Sequence, residues 1–407
     1  MKNLPLSLVI FLFGVSSLTS CISNCDKTVY YYTKIPVYGS FESIRNSFEV
    51  LGVQPMDSID RIIELDHAYF LQEKGKGIHV ISKPTTSLPT RTSFISVPGC
   101  LSIEGQGNTI YVGQATDLII IDVSDLNNMS KTKVVRDIFN EEFVKQDSFI
   151  TDYKYEYIER LLENTDCADG YIYPENTTES FSTSQGPHVD FHITKDHLIT
   201  ADNAQLRNFL IGITGTLTFK QSMNLVLSNR AGEILVSSSD TFIVVGSPTK
   251  NMILLSNDGA LSRINGTSAS SPFTCGKFFM IQNAIFYPDF SDHNNPNCNS
   301  NNMLIVVPLR TNVNAPPTGT FSFTEPQYVS TIESKMLLCD GAGGLAMFDV
   351  SNPPLFNSTV DILDELPNIH SKVSVMSAKF ALVWGAGGLF YINVSDPRNI
   401  FVISKIE

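Results

Sequence analysis

The stretch DLIIIDVSDL, Asp117 to Leu126, limits the fold more than any other feature of this chain, because relatives of it recur along the sequence. GLAMFDVSNP (Gly344 to Pro353) and GLFYINVSDP (Gly388 to Pro397) are plain copies, and GIHVIS (Gly77 to Ser82) is a looser one. Leu118, Ile119, Ile120 and Ile121 do not alternate with polar residues, so the strand they predict must be covered on both faces. The Asp and Ser that follow can fold back onto backbone N–H groups, and Pro353 or Pro397 then stops a ladder from continuing. Each copy thus reads as a buried strand closed by a turn.

A second unit recurs just upstream, a polar pair followed by three or four apolar residues. Its first positions are Asp66, Asn108, Asp196, Asp240, Asn283, Ser334 and Ala378, giving spacings of 42, 88, 44, 43, 51 and 44. The spacing of 88 is one repeat plus an insertion of similar length. Two strands follow each unit: TIYVG leads to DLIIID, KMLLCDGAGG to LAMFDV, and KFALVWGAGG to LFYINV. A strand before each unit (CLSIE) and one after each DVS segment (KTKVV) bring the count to four strands per repeat of about 43 residues, the size of a β-propeller blade. The expected fold is all-β, a propeller of seven blades with four antiparallel strands each, with six or eight blades as the alternatives. A β-sandwich would rarely run to that many short strands.

The LIIIDVSDL-type strand with its VSDP-like tail resembles the repeat of bacterial LVIVD-repeat proteins. The likeness extends to KIPVYGSFESIRNSFEVL, EKGKGIHVIS and CDGAGGLAMFDVSNP, and covers roughly residues 34 to 407. LRNFLI, NMILLS and NMLIVVP are degraded copies in the middle of the chain. The resemblance implies a β-propeller and brings with it no settled biochemical activity.

Before residue 34 the chain reads as processing and attachment. An apolar run from Leu4 to Val15 follows Lys2 and is too short for a permanent membrane span. Leu18-Thr19-Ser20-Cys21 then resembles the lipobox of bacterial lipoproteins, in which small residues let extended backbone enter a peptidase and the thiol accepts the lipid. The division expected is a signal peptide over 1–20, a tether over 21–33 behind an acylated Cys21, and one propeller domain over 34–407. Two or three acyl chains anchor stably where one is marginal. The place expected is the bacterial cell envelope, at the outer membrane, with palmitate among the attached lipids.

Residues 136–185 interrupt the repeat and hold twelve Asp or Glu against four Lys or Arg. They read as a solvated insertion, with a lid or partner-binding element as the sharper alternative. The net charge of −13 argues against nucleic acid and anionic membrane surfaces as partners. Ser40 is placed to cap a short helix in SFESIRNSF. Thr33 to Gly39 is expected to lie against the last blade near Phe401 to Ile406 and so close the ring.

Of seven cysteines, Cys275 and Cys298 flank one strand and its following loop, an arrangement that also fits the LVIVD-type pattern. In an oxidising envelope the pair is expected to form a disulfide, two reduced thiols being the alternative. Cys100 and Cys339 sit in strand contexts where a thiol packs as a small hydrophobe.

No catalytic signature assembles. WGAGG and DGAGG precede strands and lack the Lys-Ser/Thr tail of a phosphate loop, so turns explain their glycines. Asp289, Asp292, Asn294 and Asn295 lack the Gly and terminal Glu of a calcium loop, and His188, His192 and His197 lack a further ligand in register. No catalytic residue, metal site or cofactor is therefore assigned. The function expected is a membrane-anchored, non-enzymatic binding or scaffolding propeller with a protein or glycan partner. The alternative is an envelope hydrolase or lyase at the mouth of the channel, which convergent carboxylates or a His–carboxylate pair there would favour.

Overall fold

A computed structural model describes residues 24–84, 87–139, 148–166, 190–194, 196–201, 205–212, 216–224, 235–238, 242–247, 250–257, 261–269, 279–281, 284–289, 302–308, 319–351 and 362–406. The chain divides into two compact units. The smaller comprises residues 1–36 and 153–181; its described part is a two-stranded ladder between Asn24–Ser40 and Ser148–Asp166, whose outer ends run into the larger unit.

The larger unit, residues 37–152 and 182–407, is a β-propeller. Among the described residues it holds seven antiparallel sheets, and four strands of each follow in chain order from the innermost outward. Those innermost strands are Arg61–Glu64, Cys100–Gln106, Asp190–Thr194, Leu235–Ser238, Phe279–Ile281, Tyr328–Ile332 and Ser371–Met376. The innermost strand of each sheet packs against the next sheet, and Ser371–Met376 packs back against Arg61–Glu64. In each run of four strands the inner one comes first, so the inner strands run in one direction and their first residues gather at one mouth of the channel. Six sheets have four strands; the first has a fifth, Glu49–Leu51, added outside Thr90–Ser96.

The repeat strand shows why this sequence stacks sheets. Leu118, Ile119, Ile120 and Ile121 are all buried, and they divide by parity between two cores. Ile119 and Ile121 pack with Phe70, Ile78 and Val80 of the first sheet. Leu118 and Ile120 pack with Phe191 and Leu198 of the third. The copy in the sixth sheet does the same, with Ala346 and Phe348 facing one neighbour and Leu345 and Met347 the other. A strand with one apolar face could serve only one of these cores.

In the copies that begin with glycine, Gly344 and Gly388 have φ of +103° and +109°. A Cβ on Gly344 would lie 2.3 Å from the Leu366 carbonyl oxygen, so this strand-to-strand turn excludes a side chain at that position.

The expected ring closure is corrected. Thr33 to Gly39 lies in the long strand Asn24–Ser40, which pairs with Ser148–Asp166 and not with the last sheet. All four strands of the last sheet come from the C-terminal residues 371–406. Side chains close the ring instead: Ile62, Tyr69, Leu71 and Ile81 pack against Leu382, Trp384, Leu389, Tyr391 and Ile406.

Candidate functional site

At the mouth where the inner strands begin, six side chains from four sheets converge. Arg61 is the first residue of its strand and lies centrally among them. Its Nη1 donates to Ser102 Oγ at 3.0 Å and Glu104 Oε1 at 3.1 Å, and its Nη2 donates to both Asp190 oxygens at 3.2 Å. Ser102 Oγ donates to Asp190 Oδ1 at 2.6 Å. His192 Nδ1 lies 3.2 Å from Glu104 Oε1. Tyr328, on the sixth sheet, stands with its ring edge-on to Phe279 and close enough to feel the Arg61 charge. Ser102 and Glu104, like Asp190 and His192, are two apart on a strand, which puts each pair on one face.

The electrostatics follow from this crowding. Burial pushes the Glu104 carboxyl up, but His192 and Arg61 outweigh it and hold Glu104 below the usual carboxylate range. Burial likewise pushes His192 down, and the charge and hydrogen bond of Glu104 override it, leaving His192 raised. In that cationic form His192 donates Nδ1–H to Glu104. The Asp190 side chain is only 4 % exposed and is held by both Arg61 and Ser102. The cluster thus satisfies its own charges, binding sheet one to sheets two and three.

The second region lies at the same end of the first sheet, where its second and third strands turn over at Glu73 to Gly77. Ser40 caps the helix Phe41–Arg45 by accepting from Ser43 N–H at 3.2 Å, as its sequence predicts. Arg45 then clamps that helix to the second sheet, donating Nε to Asp117 Oδ2 at 2.6 Å and Nη2 to Asp117 Oδ1 at 2.9 Å. Asp117 takes the place that glycine has in the other repeat copies. Its side chain is 2 % exposed and also accepts from the Asp137 N–H at 3.0 Å. Gln114 Nε2 adds a bond to the Ile44 carbonyl at 3.1 Å.

Held this way, the segment from Val37 to Asp57 leaves a cleft of about 690 Å³ against the first sheet. Val37, Ile44, Leu51 and Phe94 supply its apolar lining; Ser43, Ser47, Gln54 and Ser96 are interspersed. Its charged end is Asp57, Glu73 and Lys76. Lys76 Nζ donates to Glu73 Oε1 at 2.6 Å and to Asp57 Oδ2 at 2.9 Å, and the other Glu73 oxygen lies 2.9 Å from His79 Nε2. Burial works to raise the Glu73 carboxyl, yet bonds to His79 and Lys76 leave it lowered. His79 is buried and packs against Phe94 with the rings tilted and their centroids 4.7 Å apart, so the apolar floor and the charged end share one support.

The chain is a β-propeller that carries a stretch similar to the LVIVD repeat. The LVIVD repeat model matches residues 102–136, the stretch from the first strand of the second sheet through its last. No curated protein matches the chain. Among solved structures the chain is similar to the computationally designed Ika8 protein, at 8% identity and a TM-score of 0.48, with 87% of each chain covered. It is similar to a protein from Lactobacillus plantarum at 9% identity and 0.47, over 75% of this chain and 84% of that one. It is also similar to BamB from Moraxella catarrhalis at 11% and 0.40, over 90% and 88%.

Of the residues singled out in the sequence, Cys21, Cys275 and Cys298 lie outside the described residues, as do His188, Asp292, Asn294 and Asn295. Cys100 and Cys339 are buried free thiols, each pushed up to about 12 by burial. His192 and His197 lie on paired strands and have different partners, Glu104 for one and Asn208 Oδ1 at 2.8 Å for the other. Among the described residues no three His, Cys, Asp or Glu gather as a metal-ligand set. The convergence on Arg61 went unread in the sequence. Its one local signal is a pair of polar residues two apart in otherwise apolar strands, S-I-E and D-F-H.

Proposed function

We propose that the protein is a lipid-anchored, non-enzymatic binding propeller of the bacterial cell envelope, held through acylated Cys21 and presenting the mouth face to a partner. The observation that carries the binding role is the cleft: an apolar floor next to charged groups that remain open to solvent, within the size range of ligand sites. The lipobox-like LTSC supports the anchor. The mouth network supports a non-catalytic channel, because its Arg and carboxylates are engaged with one another.

Two measurements test this. Wild-type protein should incorporate palmitate and fractionate with membranes, and Cys21→Ser should do neither; labelling of the variant overturns the anchor. Photo-crosslinkers on the mouth face should give a discrete adduct in native envelopes, and the lack of any adduct overturns the binding role.

A second reading, an envelope hydrolase or lyase, has one observation in its favour. His192 is oriented by Glu104 through Nδ1, and its Nε2 has no bonded partner among the described residues, with 29 % of the side chain exposed. That is the His–carboxylate pair which would point to an enzyme. Turnover of a chromogenic ester or glycoside that disappears in His192→Ala would establish that reading and displace the first.

A further inference from the structure

The chemistry of the cleft narrows its partner. We infer that it binds an extended peptide segment of a partner protein that carries a basic side chain beside an aliphatic one. This rests on the binding role above and names the ligand class for that same site.

The charged end has two carboxylates and one ammonium, a local charge of −1 on a chain of net −13, so a cation is favoured and an anion repelled. The groups are not equally available. Glu73 is buried with one oxygen on Lys76 and the other beside His79. Among the described residues Asp57 is bonded only through Oδ2, to Lys76, and 67 % of its side chain is exposed. Asp57 is therefore the acceptor for an incoming ammonium or guanidinium. Val37, Leu51 and Phe94 offer an adjoining apolar floor, which an aliphatic neighbour on the same ligand covers. Ser43, Ser47, Gln54 and Ser96 intersperse hydroxyls and an amide along the lining, partners for backbone amides that a simple aliphatic amine does not have. Charge, floor and lining together fit a peptide better than a polyamine.

The test is calorimetric titration of the full-length protein in detergent with acetyl-Leu-Lys-Leu-amide, acetyl-Leu-Glu-Leu-amide and spermidine. The Lys peptide should bind saturably and the Glu peptide should not. Asp57→Asn should weaken the Lys peptide about three- to five-fold, the scale of an exposed charge contact. Ser43→Trp, at an exposed helix position on the cleft wall, should abolish binding with an unchanged Tm. No binding of the Lys peptide, equal binding of the Glu peptide, equal or tighter binding of spermidine, or full binding by Ser43→Trp would each overturn the assignment. If envelope adducts persist while the Lys peptide fails, the cleft assignment falls alone; if both are lost, the binding role falls with it.

Discussion

The channel mouth and the cleft present ionisable groups at the same end of the propeller, but use them in opposite ways. At the mouth, Arg61 is bonded to two carboxylates and a hydroxyl, and Asp190 is almost wholly enclosed. In the cleft, Lys76 and Asp57 form their ion pair with 43 % and 67 % of their side chains exposed. The mouth has more charge, yet the cleft has more of it available to a ligand. Buried charges that lose a partner are costly, whereas exposed ones are already solvated. The number of charged groups in a region is therefore a weaker guide to binding than the number left with free solvent-facing atoms.

The largest expected effect sharpens that contrast. Arg61→Ala strands Glu104 and Asp190 in the channel and should lower unfolding free energy by about 3–5 kcal/mol, read from urea denaturation. A loss below 1 kcal/mol would mean that the mouth is as solvated as the cleft. Ile120→Ala, in the core between the second and third sheets, should cost about 2–5 kcal/mol by the same measurement and serves as an apolar standard for the region.

A smaller effect separates the two regions by pH. His192 is raised in the folded protein, so its contribution is fully present below its unfolded pKa and fades as pH rises through the folded value. As pH rises above the usual His value of about 6.5, the wild-type should lose stability that His192→Asn does not. Glu104 and Glu73 are lowered, so their contributions hold above the usual Glu range and fade as pH falls through the folded values, below about 4.3. Identical pH profiles of wild-type and His192→Asn above 6.5 would remove the proposed charge pairing with Glu104. The smallest effect belongs to the cleft: Asp57→Ala, at a side chain 67 % exposed, should change stability by no more than about 1 kcal/mol. A larger loss would mean that the cleft charges are structural after all.

The repeat strand and the mouth also differ in how far each could be read in advance. Leu118 to Ile121 announce burial on both faces by themselves, because no half-exposed strand has four apolar residues in a row. Ser40 announces its helix because a cap acts within three residues. Arg61 announces nothing, since RIIE reads as an ordinary strand and its partners come 41 to 129 residues later. The ring closure was misread for a related reason. TKIPVYG has the pattern of a strand, and pattern alone does not select between two distant edges.

Local chemistry determined the strands, the repeat, the turn glycines and the helix cap, since each depends on neighbours within a few residues. Tertiary structure decided that Asp117 holds Arg45, that Asn24–Ser40 pairs with Ser148–Asp166, and that the last sheet meets the first through side chains. It also brought Arg61, Glu104, Asp190 and His192 to one mouth. Such contacts join residues far apart in the chain, and their energy depends on burial and orientation that exist only after the sheets have stacked.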